Sequence, residues 1–352
     1  MFSFARLLRS YFAAAVLGLF CTGMAQAQKY VKLAPFPDAS EELYGIASGG
    51  KLYVMGGLGP AWTPKALVFE YDPATDKWTK KKNMPQASHH VALAELNGKV
   101  YMFGGFVKPA AGPTAWQPID NVWEYDPAND AWKELAHMPT KRGSPNAAVV
   151  NGKIYVIGGA GLNPGAKDTS LHPARPQRVL GTNEVYDPAT NTWETRSPMP
   201  TTRNHAAIGA VNNKIYVIGG RVGNAFITRA SNTDVVEEYA PATDQWGPLK
   251  ASMPTARSAT AWGTYKGRIY VAGGEVRTDR MAGTFRAVEA YDPATNHWLT
   301  MPPMEFARHG LAGDVLGNRL YVVSGNVQSG GGPGMVIATD FHEALILDPD
   351  AK

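Results

Sequence analysis

The chain has one cysteine in 352 residues, Cys21. A single thiol makes no internal disulfide, so stability has to come from packing and closure. Helical patterning is missing as well. No convincing run of apolar residues at 3.6-residue spacing follows residue 27, whereas Gly (37) and Pro (26) are plentiful. That combination excludes a helical bundle and predicts short strands joined by tight turns. Charge is moderate, at 18% charged residues and a formal net +4, with no basic tract. A nucleic-acid-binding surface is therefore not expected. Hydrophobic residues make up 44% of the chain, ample for a core.

The first residues stand apart from the rest. Arg6 and Arg9 precede the apolar run AAAVLGLFCTGM, and Ala25 and Ala27 supply small residues at the −3 and −1 positions of a cleavage site. Residues 1–27 read as a secretory signal peptide cleaved after Ala27, because the run is too short to span a membrane. A lipid attachment at Cys21 fits poorly, since bulky Phe20 precedes it. Cleavage removes two arginines and no acid, so the mature chain would carry +2 and no cysteine. The expectation is a periplasmic or secreted protein with no membrane span after cleavage. Residues 28–352 would form one domain.

Six motifs of the form Tyr-x-x-Gly-Gly then recur: YVMGG (53–57), YMFGG (101–105), YVIGG (155–159), YVIGG (216–220), YVAGG (270–274) and the degenerate YVVSG (321–325). They lie on average about 54 residues apart. A turn signal such as NGK precedes each one. A YDP-like segment follows each, and five of these lead to a tryptophan seven residues on, at Trp78, Trp132, Trp193, Trp246 and Trp298. Each repeat thus predicts four short strands, A to D. From each tryptophan to the next strand-B tyrosine is 23, 23, 23, 24 and 23 residues, and counting 23 back from Tyr53 reaches Tyr30. KYVKLAPFP (29–37) is therefore a strand D with no repeat of its own, and the last repeat (308–349) lacks one. The N-terminal strand is expected to complete the sixth repeat, which removes two exposed sheet edges.

With these motifs the chain resembles the kelch family over nearly all of its mature length. The resemblance implies an all-β, six-bladed β-propeller of four-stranded antiparallel blades. It also implies a propeller architecture shared with galactose oxidase. The copper chemistry of that enzyme needs a Tyr–Cys crosslink, for which the mature chain has no cysteine. The Gly-Gly pairs lack a following helix and lysine, so they read as strand ends and not as phosphate loops.

In such a meander the B–C and D–A loops share one rim. The B–C stretches there vary, at 13, 19, 26, 18, 16 and 21 residues, which makes that rim the candidate binding face. Thirteen residues before each strand-B tyrosine stand Ser40, Ser88, Arg142, Arg203, Arg257 and Arg308. Next come Glu41, His89, Gly143, Asn204, Ser258 and His309, then Glu42, His90, Ser144, His205, Ala259 and Gly310. Arginine forks at a channel mouth suit carboxylates and phosphates, although the same arginines can instead tie loops to backbone carbonyls. The kelch domains of ubiquitin-ligase adaptors, which this register resembles, grip acidic peptides in this way.

The expected ligand residues are Arg142, Arg203, Arg257, Arg308, Glu41, His89, His205 and His309, joined from the B–C loops by Trp62, Trp116, Arg221 and Arg280. The two tryptophans fall outside the repeat, where they either stack on a sugar or apolar ligand or cap the loops' own cores. The expected partner is an anionic sugar or an acidic peptide or protein, bound by a monomer. No cofactor motif is present. A metal site at His89, His90, His205 and His309 is not expected, because these lie on three repeats with no closely spaced ligand pair. The loop GGEVRTDR also resembles the active-site loop of exported N-acetylneuraminate epimerases. That resemblance implies a catalytic Glu275 with Arg277, displaced by one blade from where that family carries its site. If the arginines bind ligand, truncating Arg203 and Arg308 together should abolish binding and leave the melting temperature within a few degrees.

Overall fold

Alternation of large apolar residues with polar ones makes each repeat a meander of strands. In the third repeat these are Asn146–Val150 (A), Lys153–Ile157 (B), Asn183–Asp187 (C) and Thr192–Arg196 (D), paired antiparallel in that order. The computed structural model describes residues 29–111, 115–175, 177–330 and 337–348. The leader expected at 1–27 lies outside the described residues, and so does part of the NVQSGGGPGM loop. Six such blades form a propeller. The A strands stand innermost, each abutting the A strand of the next blade around a central channel. Among the described residues the only helical turn is Pro60–Trp62.

The N-terminal strand closes the ring. Tyr30–Lys32 pairs antiparallel with His342–Ile346, with Tyr30 opposite Leu345. In the other blades the strand-C tyrosine faces the strand-D tryptophan in the same way, as Tyr71 faces Trp78. Leu345, and not Leu347, therefore holds the tyrosine position, and two extra residues separate it from the Asp-Pro turn. Ser324, the departure in the sixth Gly-Gly motif, stitches this seam. Its hydroxyl accepts the Ser40 amide at 3.0 Å and lies 2.7 Å from the Thr339 carbonyl.

The remaining joints repeat around the ring. The indole N–H of Trp78, Trp132, Trp193, Trp246 and Trp298 donates to a carbonyl of the preceding blade at 2.9–3.2 Å. In the sixth blade the Tyr30 hydroxyl makes this bond to the Pro302 carbonyl at 3.1 Å. The Gly-Gly pairs end strand B with positive φ. A Cβ at Gly220 (φ +97) would stand 2.7 Å from the Asn204 carbonyl, so close approach of the D–A loop requires glycine there.

The Met-Pro positions supply buried methionines: Met84, Met138, Met199, Met253 and Met304. Phe36 takes this place in the closing blade, 2% exposed and edge-on to Phe69 and Trp78. Phe36→Ala is expected to lose about 3–5 kcal/mol of unfolding free energy, while Phe36→Met should lose less than about 1.5 kcal/mol. Urea denaturation of both variants measures the difference.

Candidate binding site above the channel throat

The D–A loops enter the ring by one residue that bridges to the residue after the Gly pair, as His89 does to Phe106, Asn204 to Arg221, Ser258 to Glu275 and His309 to Asn326. The next residue in every blade takes the left-handed conformation: Glu42, His90, Ser144, His205, Ala259 and Gly310 have φ of 53–58°. Backbone bonds link these positions from blade to blade, such as Ser144 N to His90 O at 2.7 Å and Gly310 N to Ala259 O at 2.9 Å. They form a narrow throat. Below it a chamber of about 310 Å³ runs between the A strands. Above it, on the rim of variable loops, lies a cavity of about 650 Å³.

The upper cavity has an aromatic wall and a charged floor. Trp116 is buried and stacks on Phe226 at 4.1 Å, and half-buried Trp62 lies 5.8 Å from both. The two tryptophans pack the loops' own core and also line the cavity. The floor brings together Glu41, Glu42, Arg221, Glu275 and His309, all at least nine-tenths buried. Arg221 donates to Ser258 Oγ at 2.9 Å, to the Ala225 carbonyl at 2.6 Å and to the Glu275 carboxylate. His309 Nε2 lies 3.7 Å from Glu275, 3.8 Å from Glu41 and 3.9 Å from Glu42.

The adjacent carboxyls Glu41 and Glu42 are driven apart in acidity. Burial pushes Glu41 up to about 7, against the pull of His309. Glu42 is buried too, but His90 beside it holds its carboxyl down at about 2. Such a divergence gives one site both a proton-bearing carboxyl and an ionised one. Desolvation lowers His89 and His205 well below the usual imidazole range.

Four expected ligand residues are corrected. Arg142, Arg203, Arg257 and Arg308 are 0–1% exposed and lie inside the blades. Each pairs with a strand-C glutamate, namely Glu184, Glu237, Glu289 and Glu343, at 2.5–2.6 Å. Each also donates to backbone carbonyls, Arg203 to Thr201 O at 3.1 Å and Val217 O at 2.9 Å. A guanidinium so enclosed, with its terminal nitrogens already bonded, presents no fork to a ligand. For the same reason, truncating Arg203 and Arg308 together is expected to lower stability instead of leaving it unchanged.

Arg280 is exposed on the hairpin after Arg277 and does not line the cavity. His89 sits beneath Trp116, its ring against His90. The pairing of Glu275 with Arg277 does not form either. The carboxylate of Glu275 takes Arg221, Ser329 Oγ at 2.9 Å and Gly330 N at 2.8 Å, while exposed Arg277 donates to the Gly330 carbonyl at 2.5 Å. Glu275 is therefore a structural anchor for the sixth loop and not a free base. Ser329, Gly330 and Asn326 lie in a glycine-rich loop whose sequence gives no sign of the contacts they make.

A family model of the attractin/LZTR1 β-propeller matches residues 26–227, and a kelch-motif model matches residues 256–305. The chain belongs to the kelch-repeat β-propeller family. Kelch-like protein terF of Aspergillus terreus is 30% identical over 290 residues, covering 80% of this chain and 60% of that protein. Human Kelch-like protein 23 is 28% identical over 273 residues, covering 76% of this chain and 43% of that protein. The chain thus spans roughly half the length of these curated relatives. The solved structure of YjhT superposes with a TM-score of 0.69 at 20% identity, over 87% of this chain and 95% of that one, which shows the shared fold. Kelch propellers commonly serve as protein-interaction modules. Among the described residues no helix is long and apolar enough to cross a membrane.

Two outcomes follow for this kelch propeller. Arg203→Ala strands the buried Glu237 charge and is expected to lose about 3–5 kcal/mol of stability, while the double variant Arg203→Met with Glu237→Leu should recover most of it. Chemical denaturation of both tests this. In the lower chamber burial pushes Asp314 up to about 7 from 3.8. An acid whose folded value is raised holds its proton longer folded than unfolded, so its contribution is present at low pH and is lost as pH rises from about 4 to about 7. Asp314→Asn should remove that part of the stability–pH slope.

Proposed function

We propose that this kelch propeller is an exported binding module whose loop-rim cavity receives an uncharged sugar ring. The observation that carries the reading is the facing of an aromatic wall, Trp62, Trp116 and Phe226, against a floor of buried hydrogen-bonding groups. A sugar presents one apolar face and a rim of hydroxyls. It can stack on indole while its hydroxyls meet Glu41, His309 and Ser329. A volume of about 650 Å³ accommodates one or two rings. Export rests on the composition of residues 1–27.

The anionic sugar or acidic peptide expected from the arginine register loses its basis, because those arginines are buried and the floor carries three acidic side chains. A second reading has its own support. Exposed Met281, Val327 and Ile337 sit on the contacting loops of blades five and six, where Thr284 Oγ1 donates to the Val327 carbonyl at 3.1 Å. Apolar residues beside the mouth favour a protein partner, one that would insert a basic side chain between the indoles and the carboxylates.

Calorimetric titration with neutral glycosides, sugar acids and lysine- or arginine-containing peptides separates these readings. Neutral glycosides are expected to bind, to raise unfolding free energy by about 2.7 kcal/mol at a hundredfold excess over Kd, and to lose at least about tenfold in affinity in Trp62→Ala. Binding of basic peptides alone would establish the second reading. Binding of sugar acids alone would overturn both.

A further inference from the structure

We infer that Glu42, His90 and His205 form a binding site for one divalent first-row transition-metal ion at the channel throat. These residues come from three different blades and hold equivalent positions in the left-handed ring. A ligand atom from each lies within 4.8 Å of the others, and all three side chains are buried. His90 Nε2 is 3.1 Å from Glu42 Oε2. Ligands bonded at about 2.0–2.2 Å to one ion stand about 3.3 Å apart, so a small inward movement completes the site. Two imidazoles and one carboxylate are a donor set for zinc that leaves a position open.

The surroundings orient these donors as the partners of metal ligands do. Asn204 Nδ2 donates to the Asn224 carbonyl at 3.2 Å, which fixes its Oδ1 toward His205 Nδ1. His205 Nδ1 must therefore carry the proton, and Nε2 is left with a lone pair facing the throat. His90 Nδ1 faces His89 Nδ1, so one of the two carries the proton between them. With a proton on His90 Nδ1, a cation that displaces the proton His90 Nε2 shares with Glu42 would meet a lone pair on one side and a carboxylate on the other. His90 Nε2 is buried without a hydrogen bond of acceptable direction. Gly310 leaves space for the carboxylate, since a Cβ there would stand 3.1 Å from the Glu42 carboxyl carbon.

Charge argues in the same direction. Glu41, Glu42 and Glu275 bring three acidic side chains to the floor beside Arg221, so acidic groups outnumber the guanidinium that Glu275 already holds. Arg221 Nη1 lies 3.2 Å from His205 Nε2. Binding exchanges that contact for a bond to the ion, while Arg221 keeps Ser258, Ala225 and Glu275. Glu42 also lines the upper cavity, so the site lies at that cavity's floor.

The test is equilibrium dialysis of the chelator-stripped protein against Zn²⁺ and Co²⁺, with elemental analysis and the visible spectrum of the cobalt form. One ion per chain is expected, with a tetrahedral or five-coordinate cobalt spectrum and a raised melting temperature. His90→Gln and Glu42→Gln should each weaken binding at least about 100-fold, and Asn204→Ala about 10–100-fold. Exposed His137, beside Glu134 and Asp120, serves as a control for surface binding. The inference is overturned if the stripped protein takes up no ion. It is equally overturned if His90→Gln and Glu42→Gln both bind as wild type, or if His137→Ala abolishes the uptake. The readout is the ion itself, so the outcome does not depend on the sugar-binding proposal.

Discussion

The ring depends on one joint made six times, the hydrogen bond from the aromatic side chain of strand D to a carbonyl of the preceding blade. Around it sits a second contact. The strand-C tyrosine donates to an Asp or Asn five residues on, as Tyr71 does to Asp76 at 2.7 Å and Tyr186 to Asn191 at 2.7 Å. The same Asp or Asn oxygen accepts a backbone amide of the neighbouring blade, Ala34 for Asp76 and Ala136 for Asn191, each at 2.8 Å. One short side chain in a left-handed turn thus satisfies donors from two blades. This holds together a ring in which, among the described residues, no helix covers the edges, and which has a single cysteine and so no internal disulfide to pin them.

The sixth joint explains why closure by the first strand was legible before any coordinates. Its spacing had to match the other five, because the aromatic donor must reach the same carbonyl. Tyr30 does so with an O–H in place of an indole N–H. The two-residue slip at Leu345 was not legible, because the segment LILDP offers two leucines in the same pattern and only strand register separates them. Loop lengths marked the rim that carries the upper cavity, since lengths can vary only where no ladder fixes them.

The arginines show where position alone misleads. Their register placed them at the mouth, but a long side chain reaches back into its own blade. The deciding signal was present in the sequence: glutamate stands two residues before the strand-C tyrosine or its equivalent in the four blades that carry arginine, as Glu184, Glu237, Glu289 and Glu343. The two blades that carry Ser40 and Ser88 have Phe69 and Trp123 there instead. Arginine occurs with glutamate and serine with an aromatic ring, which is the signature of one buried contact filled in two ways.

That contrast separates scaffold from site in this fold. Where blades vary as matched pairs, the side chains bond to one another inside the blade, as Arg203 does to Glu237. The throat does not vary in this way. Its six backbones share one strained conformation, yet the side chains run Glu, His, Ser, His, Ala and Gly. His90 and His205 each meet side chains of their own blade, His89 for the one and Asn204 and Arg221 for the other, whereas Glu42 reaches His90 of the next blade and Gly310 gives it space. A left-handed conformation at a non-glycine residue is held only by surroundings that over-determine it. Here inter-blade bonds do so, four of them from backbone to backbone and one, His205 N to Ser144 Oγ at 3.0 Å, through a side chain. Converging polar groups at this one level, beneath an aromatic-walled cavity, are what the repeat alone does not require.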